Sequence, residues 1–124
     1  MKASINSLYH QEIDWLRELE FYSQETDLLV KRLNELAPYL EGDNKKRFDG
    51  FLTSFANIKQ QCLKLKKENE ERCDRLNQMV KADMEHIDDQ FTADKDEMHQ
   101  LMQELNTSFS KTRYELNTFL VKGA

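Results

Sequence analysis

Glycine and proline are nearly missing from this chain: three glycines and one proline in 124 residues. A strand-rich fold turns often and draws on both residues at its turns, so this composition excludes one. Long apolar runs are missing as well. No segment approaches the roughly eighteen uninterrupted apolar residues of a membrane span, and the opening MKASINSLYHQE lacks the apolar stretch of a secretory signal. The expected compartment is the cytoplasm. Cysteine is scarce: Cys62 and Cys73 lie on one predicted helix, about 16 Å apart at 1.5 Å per residue and beyond disulfide reach. Neither has a CxxC or Cys/His ligand spacing, so both read as small hydrophobes.

The signatures of catalysis are absent too. No glycine loop can cradle a phosphate, and no nucleophile elbow is present. The expectation is a chain that is not an enzyme and carries no cofactor. Two basic stretches, Lys45-Lys46-Arg47 and Lys64 to Lys67, are surrounded by acids in a chain of net charge −5. A nucleic-acid domain shows a basic face and a high pI, so these lysines read as a solvated, salt-bridged helix face. The same negative charge argues against an anionic membrane surface.

What the chain does have is periodicity. Leu8, Trp15, Tyr22, Leu29 and Leu36 recur every seventh residue, and Ile5, Leu19, Leu33 and Leu40 form a second row three residues ahead of them. Two rows at this spacing make one stripe along a helix of roughly ten turns. Ser4 or Ser7 is the expected N-cap, and Pro38 ends the helix after Ala37. The loop from Pro38 to Asn44 follows, with Asp43 or Asn44 capping a second helix. Its apolar row is Phe48, Phe51, Leu52, Phe55, Ile58, Cys62, Leu65, Cys73, Leu76, Met79 and Val80. Residues 83–92 are rich in side chains that compete with helical hydrogen bonds and mark the second turn. A third helix then carries Met98, Leu101, Met102, Leu105, Phe109, Leu116, Phe119 and Leu120. The reading is a single domain over residues 1–124, with helices at about 4–37, 44–83 and 90–121. Its fold class is all-α: an elongated, antiparallel, up-down-up three-helix bundle with coiled-coil-like heptad packing.

Charge follows the same division. Residues 1–42 carry four basic and eight acidic side chains, residues 43–80 nine and six, and residues 81–124 five and nine. A basic helix between two acidic ones suits antiparallel neighbours. Folding the chain at both turns brings Trp15 opposite Asn69, and Asn69 near Ser108 or Thr112. Glu12, Trp15, Asn69, Arg72, Ser108 and Thr112 are thus expected to share one polar layer, with a Glu12–Arg72 pair, as a device that fixes register. At the other end Phe48, Phe51 and Phe55, with Tyr39, form a patch that is left exposed if the third helix is short, and that would then be a homodimer interface. Asp83 and His86, with Asp96 and His99, repeat a carboxylate-x-x-His spacing and supply an alternative iron or zinc site. Bundle dimetal sites use Glu-x-x-His and a fourth helix, and His10 and His99 fall at outward positions, so the three histidines read first as surface residues.

Two stretches resemble a known group. HQEIDWLRELEFYSQETDLLVKRL, residues 10–33, is similar to the opening of a family of small helical proteins of Bacteroidetes-type bacteria, and KTRYELNTFLVKG, residues 111–123, to their closing helix. The likeness centres on Trp15, Leu16, Leu19, Phe21, Tyr22, Arg113, Asn117, Phe119 and Leu120. That family has no known activity, so the resemblance implies a helical bundle and no chemistry. More loosely, three long helices with a Trp in the first resemble a spectrin-type repeat, an analogy of fold alone. The functional expectation is a structural or protein-interaction module, homodimeric or docked to another helical protein, with the small metal-binding bundle as its alternative.

Overall fold

The computed structural model describes residues 5–82 and 89–122. Helix α1 spans Ile5–Leu36, α2 spans Asp43–Lys81 and α3 spans Asp89–Lys122, with a single 3-10 turn at Ala37–Tyr39 between the first two. No strand occurs among the described residues. Paired contacts fix the directions: Glu12–Asn69 with Asp27–Lys59 and Arg75–Asp94 with Phe51–Phe119 make α2 antiparallel to both neighbours, and Trp15–His99 with Tyr22–Phe109 make α1 and α3 parallel. At 1.5 Å per residue, α2 is roughly 58 Å long, so the three-helix bundle is elongated.

Burial repeats at alternating steps of four and three. On α1 the buried residues are Leu8, Glu12, Trp15, Leu19, Tyr22, Thr26, Leu29 and Leu33. On α2 they run Phe48, Phe51, Phe55, Ile58, Cys62, Leu65, Asn69, Arg72, Leu76 and Met79. This 3.5-residue mean keeps one seam of each helix turned to its neighbours over the whole length. Most of the apolar seam forms one cluster from Trp15 to Phe119, and Leu8, Leu76, Met79 and Phe91 form a smaller one at the end near the second connection. Val80, placed in the apolar row by its spacing, is exposed, because Leu76 and Met79 already fill the two inward positions of that turn.

The helix ends differ in detail from the sequence expectation. Pro38 sits inside the 3-10 turn, two residues after α1 has ended at Leu36. Gly42, rather than Asp43 or Asn44, takes the cap of α2: its φ is +60°, and its carbonyl accepts from the amides of Lys45 and Lys46. Only glycine adopts that backbone cheaply. Asp43 becomes the first helical residue, where its charge faces the positive end of the helix dipole. Ser4 and the segment 83–88 lie outside the described residues. Phe91 and Thr92, read as part of the second turn, belong to α3, and Phe91 is fully buried.

Two glycines make a paired prediction. Nothing lies within 4 Å of a Cβ built on either Gly42 or Gly50. Gly42→Ala therefore meets backbone strain alone and is expected to cost about 1–3 kcal/mol. Gly50 lies within α2 on the exposed side, so Gly50→Ala is expected to stabilise by about 0.5–1 kcal/mol. Denaturant midpoints that move in the same direction for the two variants would contradict the cap assignment.

Candidate functional site

The most buried polar group of the bundle is built from three positions of the heptad seam. Glu12 occupies an inward row of α1 that Leu19 and Leu33 also occupy, and Asn69 and Arg72 occupy the two rows of α2. Antiparallel packing sets them face to face. The amide nitrogen Nδ2 of Asn69 donates to Oε2 of Glu12 at 2.7 Å and to its backbone carbonyl at 2.8 Å. Nε of Arg72 donates to Oε1 of Glu12 at 2.6 Å. The guanidinium carbon stands 5.8 Å from the centroid of the Trp15 ring, a cation–π distance. Both charged side chains are almost entirely withdrawn from water.

Trp15 contributes the third side of this layer, and α3 reaches it through His99, whose ring centroid lies 6.3 Å away. Thr112 and Ser108 do not join. They line a groove between α2 and α3 with Ser54, Asn57, Ile58 and Gln61, well toward the first connection. The reason is the second turn. With α3 under way at Asp89, Arg75 meets Asp94 and Phe51 meets Phe119, so Met98 to Met102, not residues 108–112, come level with Asn69 and Arg72.

Burial changes what these side chains can do. A carboxylate and a guanidinium taken out of water carry a desolvation cost that is offset only by close mutual hydrogen bonds. Sliding α2 by one heptad would set Glu12 against Cys62 and Leu65, or against Leu76 and Met79, leaving three polar groups in an apolar seam. The layer therefore selects one register. Its one loose end is Nη2 of Arg72, buried without a hydrogen-bond partner.

A second polar link ties α1 to α3. The Tyr22 hydroxyl donates to Glu18 and accepts from the Asn106 amide, while its ring lies 4.9 Å from that of Phe109. Burial, reinforced by the bond to Glu18, pushes the phenol up to about 12 from its usual 10.0. The folded state thus holds the neutral form, and the unfolded chain ionises first as pH rises. The contribution of Tyr22 to stability is intact below pH 10 and is lost as pH rises from 10 to about 12. Tyr22→Phe should flatten that decline, measured as the urea midpoint against pH; an alkaline limb identical to that of the parent would contradict this role.

The outer pairs are simpler. Lys59 on α2 reaches Ser23 Oγ at 2.6 Å and Asp27 at 2.8 Å on α1. Arg75 holds Asp94 at 2.7 Å across the α2–α3 seam, and that hydrogen bond keeps the carboxyl below its ordinary range. Both cysteines are free thiols, pushed up by burial: Cys62 is buried and Cys73 half-buried.

The aromatic end is closed. Phe48, Phe51 and Phe55 are buried, and the Phe119 ring lies 5.5 Å from Phe51. Lys45 and Arg47 stack over Phe48 and Phe119. Helix α3 is long enough to reach the first connection, so the patch expected there as an interface is core; Tyr39 alone of the four stays exposed. Of the alternative metal set, Asp83 and His86 lie outside the described residues. Asp96 and His99 are exposed, and His99 pairs with Gln103 at 3.3 Å. No group of three or more ligating side chains is assembled among the described residues.

Three features escaped the sequence reading. Thr26 is buried in the seam with its hydroxyl unpartnered; its place in the Glu12 row was the available signal. Phe91 is buried seven residues ahead of Met98, where the expected apolar row of the third helix begins. Phe21 and Leu28, seven residues apart on α1, are half exposed, at 49% and 53%. No family model, no curated protein and no solved structure matches the chain.

Proposed function

We propose that the chain is a non-catalytic structural or protein-interaction module, which presents one outer face of the bundle to another helical surface. The carrying observation is the distribution of charge on α3. From His99 to Val121 its exposed charged residues are Glu104, Lys111 and Glu115, and all three line the groove against α2. The side turned away from α2 shows His99, Gln103, Asn106, Thr107, Ser110, Tyr114, Asn117 and Val121, all exposed and none with a formal charge. Arg113 is half-buried, folded over the Phe109 ring. In a chain one third charged, such depletion is the compositional mark of an interface centre. Large apolar groups stand on the same side: Tyr114 and Val121 are 73% and 86% exposed, and Phe21 of α1 lies 6.2 Å from Phe109.

The polar layer supports this reading by holding the helices in one register, which keeps the face rigid and preorganised. No helix among the described residues is long and apolar enough to cross a membrane, and the free thiols suit the reducing cytoplasm. The test is a photo-crosslinking residue at Thr107, in the middle of the face, compared with one at Lys64 on the outer side of α2, in cells of the native host. A protein adduct specific to position 107 is expected. No adduct at 107, or stoichiometric iron or zinc in the purified protein with a melting temperature that falls on chelation, would overturn the assignment.

A further inference from the structure

Resting on that interaction reading, we infer that the occupant of the uncharged α3 face is a second copy of this chain, paired antiparallel about a two-fold axis near Ser110. The net charge of −5 sets the first condition. Two copies repel wherever like-charged surfaces meet, and like-charge juxtaposition costs several kcal/mol. The acidic residues of α1 and the charged groove side of α3 are poor candidates for self-contact. The exposed residues of the band from His99 to Val121 can face their own image without that cost; Glu18 of α1, which lines the groove beside His99, Gln103, Asn106 and Thr107, accepts from the Tyr22 hydroxyl and lies away from the axis at Ser110.

Its chemistry sets the second condition. An isologous interface must be self-complementary. Carboxylates only accept and ammonium groups only donate, so a face rich in either cannot pair with itself. Gln103, Asn106, Ser110 and Asn117 each donate and accept. With the axis near Ser110, antiparallel α3 helices place Gln103 opposite Asn117 of the other copy and Tyr114 opposite Asn106. Amide meets amide, and a phenol meets an amide. Arg113 falls opposite Thr107, so the two guanidiniums do not confront each other.

Size is the third condition. The band covers residues 99–121, roughly 34 Å of helix. Over the width of one helix face, with Phe21 of α1 beside it on the Phe109 ring, this offers on the order of 600 Å² per copy. That is near the lower end of stable interfaces, which bury about 800 Å² per partner. A reversible dimer in the micromolar range is the matching affinity.

Light scattering of the full chain at high micromolar concentration should give twice the 14.8 kDa of one chain. Ser110→Glu places two carboxylates beside the axis and should weaken the dimer by roughly 100-fold, with helical circular dichroism unchanged because the position is exposed and glutamate is a good helix former. Lys64→Glu on α2 should leave the mass unchanged. A monomer at every concentration, or a dimer that ignores Ser110→Glu, overturns the inference. The crosslinker at Thr107 separates the two levels. An adduct with a different protein together with a monomeric mass sinks the second copy and keeps the interaction module; no adduct of any kind sinks both.

Discussion

Glu12→Ala is expected to destabilise the bundle by about 3–5 kcal/mol, a large part of the 5–15 kcal/mol that holds a domain of this kind together. The deletion removes the carboxylate that accepts from both Arg72 and Asn69. Arg72 is then a buried cation without its hydrogen-bonded counter-charge, left with the Trp15 ring and the more distant carboxylates of the α2–α3 groove, Asp94 among them. Asn69 loses a side-chain acceptor while keeping the Glu12 backbone carbonyl. Urea unfolding at neutral pH measures the effect. A loss under about 1 kcal/mol would mean that water reaches the layer and that the pair behaves like a surface bridge. Asp27→Ala supplies the comparison: it breaks the 2.8 Å contact with Lys59 on a side chain that is 65% exposed, and should cost about 0–1 kcal/mol.

Removing one member of a buried pair says little about why the pair is there. Replacing Glu12, Asn69 and Arg72 together by leucine or methionine removes the desolvation cost along with the attraction, and such exchanges are often neutral or stabilising. In this seam the exchange makes every inward layer apolar, so neighbouring heptad offsets of α1 against α2 become alike. The polar layer therefore acts on uniqueness more than on stability. The uncharged face of α3 gains from that uniqueness, because its place beside Phe21 depends on how the helices are aligned.

Helices, their inward faces and the order of their charges were legible because period and composition report them directly. Axial alignment was not. Heptad spacing tells which side of α3 turns inward, but a shift of a few residues in the turn moves every layer together. That is why Thr112 was placed beside Asn69, whereas Met98 to Met102 lie level with it, roughly 15 Å along the axis at 1.5 Å per residue. Glu12, Asn69 and Arg72 could be aligned across the first connection, because Pro38 and Gly42 mark it within a few residues. Gly42 itself was passed over for Asp43, since a side-chain cap is the commoner signal and a positive φ leaves none beyond the glycine. The α3 face was hard to see for a different reason: depletion of charge on one side of a helix becomes visible only once the groove side is known.

Phe119→Ala should be as damaging as the loss of Glu12, at about 3–5 kcal/mol, by a different route. Phe119 is almost wholly buried, against Phe51 at 5.5 Å and under the Arg47 guanidinium at 4.8 Å. It is the residue by which the end of α3 covers the phenylalanines beside the first connection. Truncation leaves a cavity between α2 and α3 and uncovers Phe51, so the variant should bind an apolar dye that the parent excludes. Val121→Ala, two residues on and 86% exposed, should change stability by no more than about 0.5 kcal/mol. If Phe119→Ala proves as mild as Val121→Ala, α3 does not close this end in solution. Phe48, Phe51 and Phe55 would then form an exposed apolar surface large enough to compete with the α3 face for a partner.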